Sequence, residues 1–197
     1  MPKKTFLLLF LLCVAGFAKA QTPDAVYDQY MDFNLSRSKG QEDKALKQGE
    51  NILPNVSKLL KKSRTSFYNG LAKVYEDSNQ PENAAKYYEL VAAAEPNFYV
   101  AQRALGYLYL IPAKAINEKM IAAKSKDANL VQLALQYKQA VLKAMPHLEK
   151  AQACDPSDET LSLIKLLYRN IGGTTELQTL DARLKELSKN CMDILSE

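Results

Sequence analysis

The sequence predicts an all-α protein. Only 7 of 197 residues are glycine, and no run of β-branched residues occurs. Apolar residues recur at three- and four-residue spacing from Val26 onward, the period of a helix that buries one face.

Residues 1–20 stand apart from that pattern. Lys3 and Lys4 form a basic start, Phe6 to Phe17 an apolar core, and Ala18-Lys19-Ala20 a small-x-small site. The apolar run is shorter than the roughly 20 residues a spanning helix needs, and the order is that of a secretory signal. Cleavage near Ala20 is therefore expected, giving an exported chain that is periplasmic or associated with the cell envelope. Cys13 follows Leu12 rather than the small residue a lipoprotein signal needs, so acylation there is not expected.

Removing that segment changes the charge. The whole chain has 26 Lys+Arg and 22 Asp+Glu; without Lys3, Lys4 and Lys19 it keeps 23 against 22. A nearly neutral chain gives no global reason to expect nucleic acid.

The elements follow in order. Asp24 to Ser38 carries Val26, Tyr27, Tyr30 and Phe33 on one side, Gly40 breaks the helix, and Gln41 to Leu53 forms a second one. Residues 21–53 thus read as a degenerate N-terminal pair or cap. Pro54 suits the first turn of a helix, where its missing N–H costs nothing, and this helix is expected to run through Phe67, Leu71 and Val74 to Asp77. Ser78 to Pro81 is turn material. Glu82 to Glu95 is the returning helix, ended by Pro96, which closes a unit over 54–98.

Within this unit Tyr68, Leu71, Ala72, Tyr75, Ala84, Tyr88, Val91 and Pro96 keep a fixed order of large, small and terminal residues. Leu105, Gly106 and Tyr109 lie 34 positions after Leu71, Ala72 and Tyr75. Ala144, Leu148, Ala151 and Pro156 then repeat the spacing of Ala84, Tyr88, Val91 and Pro96. The second unit, 99–156, is therefore complete but split by 26 extra residues. Ile116 and Met120, and Leu130, Leu133, Tyr137 and Val141, keep a helical stripe through the insertion. The insertion is read as a hairpin whose legs each run three to four turns, roughly 20 Å, past the normal length. Lys124 to Asn129 is its turn, and Pro112 and Pro146 are expected to kink the legs. Residues 157–197 hold a first helix from Asp158 to Arg169. A last helix opens at Thr175 with capping-box spacing to Gln178 and carries Leu177, Leu180, Leu184 and Leu187.

This register resembles the tetratricopeptide repeat, a two-helix unit of about 34 residues. The closing phrase from Asp155 to Gly172, together with the long second hairpin, is similar to exported bacterial members of that family. The resemblance covers about Leu59 to Leu187 and implies a right-handed α-solenoid of antiparallel helix pairs that acts by binding a protein or peptide. It also implies a groove lined by first helices, which here places Ser66, Asn69, Lys73, Glu76, Asp77, Arg103, Tyr107 and Leu110 on the binding face. Asn69 and Lys73 reverse the order of the family's carboxylate-binding clamp, so that specificity is not carried over.

A second surface is the hairpin, where Lys114, Lys119, Lys124, Lys126, Lys138 and Lys143 face only Glu118 and Asp127. Such a basic projection suits an anionic envelope polymer or a membrane surface. Catalytic chemistry has no footing: His147 is the sole histidine, and a lone helical histidine is ordinarily a surface or packing residue. No Gly-rich phosphate loop, HExxH or nucleophile set occurs, and no cofactor or metal is expected. Cys154 and Cys191 would occupy similar ends of successive second helices about 8–10 Å apart, beyond the reach of a disulfide. Two separate thiols are expected unless the C-terminal tail folds inward.

Overall fold

The computed structural model describes residues 22–123 and 129–195. The expected signal segment, Lys124, Lys126 and Asp127 lie outside them. Among the described residues nine α-helices follow in order: α1 (Pro23–Ser38), α2 (Glu42–Ile52), α3 (Lys61–Asp77), α4 (Pro81–Ala94), α5 (Tyr99–Ala122), α6 (Leu130–Cys154), α7 (Asp158–Asn170), α8 (Thr174–Gln178) and α9 (Leu180–Leu187). Among the described residues there is no strand, only one isolated parallel bridge between Phe98 and Met192. The helices pack as pairs, α1 with α2, α3 with α4 and α5 with α6. Each pair leans on the next, and α9 packs against α6. This is an all-α array of antiparallel helix pairs.

The buried face of each helix follows its periodicity. Leu71, Ala72, Tyr75, Ala84, Tyr88 and Val91 are buried in the first full pair. Leu105, Tyr109, Ala144, Leu148 and Ala151 are buried in the second. Tyr68 is half-buried, and Pro96 and Pro156 are exposed just beyond α4 and α6. Gly106 shows why the small position is small. A Cβ there would come within 2.6 Å of Leu148 Cδ2, so α5 and α6 could not close to their present separation. Aromatic rings join one pair to the next, with Phe67 meeting Phe33 at 5.3 Å and Tyr30 at 6.3 Å between ring centroids.

Three first helices end in the same way. In α1, α3 and α7 the amides of Gln41, Gln80 and Gly173 reach back to the carbonyls of Ser36, Tyr75 and Tyr168. The preceding residues, Gly40, Asn79 and Gly172, have φ of 65°, 54° and 73°. This is the Schellman termination. In the 34-residue register Asn79 corresponds to Ala113, which is buried within α5, and no such cap forms there. By the same register α5 runs from the equivalent of Asp77, position 111, on to Ala122. Likewise α6 begins at Leu130 rather than at the equivalent of Pro81, position 141. Each leg therefore gains eleven residues, about 16 Å of helix. Each is a single helix through its proline, Pro112 or Pro146.

Three expectations need correction. Pro54 does not open α3: residues Leu53–Lys58 form a 3-10 turn continuing α2. Leu59 is then extended and buried as an anchor, and α3 starts only at Lys61. The last helix does not open at Thr175 and is not continuous. Gly173 is the N-cap, the helix stops at Gln178, and α9 restarts at Leu180, whose side chain is buried.

The third concerns the cysteines. Cys154 and Cys191 form a disulfide with Cα atoms 5.5 Å apart. The separation expected between helix axes does not apply, because Cys191 lies beyond α9 in a chain that turns back beneath the end of α6. Lys150 fixes that turn, donating to the carbonyls of Leu187 and Asn190 and to Asn97 Oδ1. The Met192 amide then donates to Asn97 O (2.8 Å) and the Tyr99 amide to Met192 O (3.1 Å).

Candidate functional site

The first helices line a cleft of about 750 Å3. From α3, Ser66, Asn69, Lys73 and Asp77 face it, at spacings of 3, 4 and 4 that place them on one helical stripe. From α1, Tyr30, Asn34 and Arg37 form the opposite wall, and the tail residues Asp193, Ile194 and Leu195 close one end. A smaller cleft of about 530 Å3 shares Lys73 and continues over Glu76, Arg103 and Tyr107. The residues expected from sequence are thus brought to one continuous face, with one exception: Leu110 is half-buried against the core and lines neither cleft.

Several of these side chains are already engaged. Lys73 pairs with Asp77 one turn along, and the carboxylate holds the ammonium above its ordinary pKa. Glu76 Oε2 accepts from Tyr88 Oη at 2.9 Å; burial first, then this carboxylate, raises the phenol. Tyr75 Oη donates to Glu50 Oε1 at 3.2 Å, and burial is the main cause that pushes it up to about 12. Arg103 reaches Asp155 at the end of α6, and Tyr107 Oη lies 3.1 Å from Thr160 Oγ1 on α7. Arg103 therefore ties α5 to the end of α6 within the second pair, and Tyr107 joins that pair to α7, while both line the smaller cleft.

Two other polar atoms at the cleft are not engaged. Ser66 Oγ and Asn69 Oδ1 are shielded from solvent and have no hydrogen-bond partner among the described residues. Arg37 lies over the Phe33 ring at 5.4 Å and donates to Asn34 Oδ1 at 3.2 Å. Burial pushes its guanidinium below the ordinary value. A desolvated cation beside unpartnered polar atoms is a surface prepared for polar groups of a ligand.

The basic hairpin is partly dispersed. Lys114, Lys119 and Lys138 are exposed. Lys143 folds back, with Nζ 3.8 Å from the centroid of Tyr109 and 3.7 Å from Glu89 Oε1. Between the lysines the far end of the hairpin exposes Ile121, Val131 and Leu135, at 77%, 72% and 52%. His147 is a packing residue: Nδ1 lies 2.6 Å from Gln102 Oε1 and the ring 5.4 Å from Tyr109. Among the described residues no cluster of three metal-ligating side chains occurs, and no helix is long and apolar enough to cross a membrane.

Two contributors to the cleft are absent from the sequence expectation. Asn34 and Arg37 continue the helical spacing from Tyr30, so the sequence does carry a signal for this wall of the cleft. Asp193 to Leu195 carry no such signal, because only the returned tail brings them there.

No family model matches this chain, and no curated protein does. A solved structure of nearly identical TPR-like repeats assigned to a kinesin light chain of Podosopora anserina is similar at 18% identity and a TM-score of 0.36. That similarity covers 85% of this chain and 96% of that one. At those values it adds nothing to what the chain's own helix packing shows.

Proposed function

We propose that the protein is a non-catalytic interaction scaffold of the tetratricopeptide-repeat type, exported to the bacterial cell envelope, which binds a partner protein or peptide through the cleft on α1, α3 and α5. The observation that carries this is the cleft itself, where Ser66 Oγ and Asn69 Oδ1 on α3, without partners among the described residues, face the α1 wall that presents a half-buried Arg37. An extended peptide backbone offers both donors and acceptors to such groups. Export is supported by the signal-like order of residues 1–20 and by the disulfide, which persists in oxidising compartments.

The test is crosslinking in the native envelope from a photoreactive residue at position 69. Capture of one protein, retained at high salt and lost with Arg37→Glu, is expected. Capture of nothing, or of the same proteins by the Arg37→Glu chain, sinks the reading.

One observation favours a second reading, binding of an anionic membrane surface by the hairpin. Ile121, Val131 and Leu135 are exposed beside Lys114, Lys119 and Lys138, the composition of a surface-seeking amphipathic element. Vesicles containing anionic lipid would then retain the chain at low salt and release it at high salt. A Lys119→Glu/Lys138→Glu chain that binds those vesicles as well as the parent excludes this reading.

A further inference from the structure

We infer that the end of the cleft beside Asn97–Tyr99 is a docking site for an extended peptide segment carrying an acidic residue followed by large aliphatic ones. The chain's own C-terminal residues hold that place, and the Cys154–Cys191 disulfide locks them there. The inference rests on the cleft being a peptide-binding surface and deepens that reading by naming the chemistry of the segment and what controls access.

The tail already shows the mode of binding. Met192 donates to Asn97 O and accepts from Tyr99 N–H, so it pairs as a short parallel bridge at the mouth of α5. This is addition of an extended segment to free backbone groups. The next three residues, Asp193, Ile194 and Leu195, then line the same cleft as Arg37, Ser66 and Asn69. Leu195 is half-buried against the core, whereas Ile194 is 73% exposed. Few of the tail's own contacts are deep, and the covalent link supplies what they lack. Its anchors are the disulfide and the Lys150 ammonium bonded to Leu187 O and Asn190 O.

The lock is chemically accessible. Cys191 is exposed and Cys154 half-buried, so a dithiol reductant attacks Sγ of Cys191. That step forms a mixed disulfide and releases Cys154 as the thiolate. The reductant's second thiol then displaces Cys191 and leaves as its own disulfide, having passed two electrons to the protein, and both cysteines end as thiols. The tail then holds its seat only through non-covalent contacts, and a partner segment of the same chemistry competes for it.

The experiment uses the full chain and an amidated, labelled peptide with the sequence of residues 189–195, serine replacing its cysteine. Amide exchange is followed over 97–99 and 190–195, with circular dichroism to confirm the fold. On reduction, exchange at Tyr99 and Met192 should accelerate at least tenfold, and the peptide should bind at least tenfold tighter than to the oxidised chain. Met192→Pro, which removes the donor to Asn97, should raise peptide binding further in the reduced chain without loss of helicity. Unchanged exchange after complete reduction overturns the lock, and so does equal peptide binding in both states. A released tail with no peptide binding overturns the docking site. Envelope crosslinking that captures nothing, with these peptide results intact, removes the external partner and leaves this inference standing.

Discussion

Glu149 is the side chain on which the C-terminal part of the molecule closes. Only 5% exposed, it accepts from Tyr168 Oη (2.5 Å) and from Arg183 Nε (2.9 Å) and Nη2 (2.5 Å), tying α7 and α9 to α6. The Arg183 guanidinium is held above its ordinary value chiefly by that carboxylate. Glu149→Ala should cost about 2–4 kcal/mol in urea denaturation, because it strands a cation and a phenol near the core. The exposed Lys189–Glu186 pair should change stability by less than about 1 kcal/mol when broken. Equal costs for the two would refute this ranking. His147 gives a pH dependence at the same scale. Burial, with Lys143 adding to it and Glu89 opposing, holds its imidazole below 6.5. The unfolded chain therefore binds the proton more readily than the folded one. Stability is present in full above about pH 6.5 and is lost as the pH falls from there through the folded midpoint. As the chain has a single histidine, one imidazole resonance reports that midpoint by NMR, and a value above 6.5 contradicts the assignment.

The helix termini explain why one pair is long. Gly40, Asn79 and Gly172 take the left-handed conformation that ends α1, α3 and α7, whereas Ala113 at the matching place in α5 favours continuation. Gly172→Ala meets no neighbour within 4 Å, so its cost is conformational alone, about 1–2 kcal/mol. Gly106→Ala has the opposite origin. Its backbone suits alanine, but the new Cβ strikes Leu148, which should cost about 1–3 kcal/mol by overpacking. A Leu148→Ala background should relieve the penalty at Gly106 and not the one at Gly172; a double-mutant cycle by urea denaturation checks both. The small-residue register and the 26-residue interruption were legible in sequence because each obeys local periodicity. The start of α3 and the break at Thr179 were not. Leu59 and Leu180 are set by what they bury against, and Pro54 and Thr175 fit equally well in the helices that do not form.

At the scale of the whole molecule, the disulfide closes the array onto its own tail. Joining residues 37 apart removes about 4 kcal/mol of unfolded-chain entropy on the loop-closure estimate. Cys154→Ser/Cys191→Ser should therefore lower stability by up to about that amount while helicity by circular dichroism is retained. A double variant as stable as the parent would mean that the returned tail contributes no closure. The same closure decides what the cleft can receive, since Asp193 to Leu195 form one end of it.

The sequence by itself determined the helix pairs, the buried register and the long hairpin, all consequences of 3.6-residue periodicity and small-residue spacing. Tertiary structure alone decided that Leu110 turns to the core and that Cys191 meets Cys154. These depend on which faces meet after packing. The tail's return, in particular, is fixed by Lys150 reaching Leu187 and Asn190, contacts 37 and 40 residues away that no local period encodes.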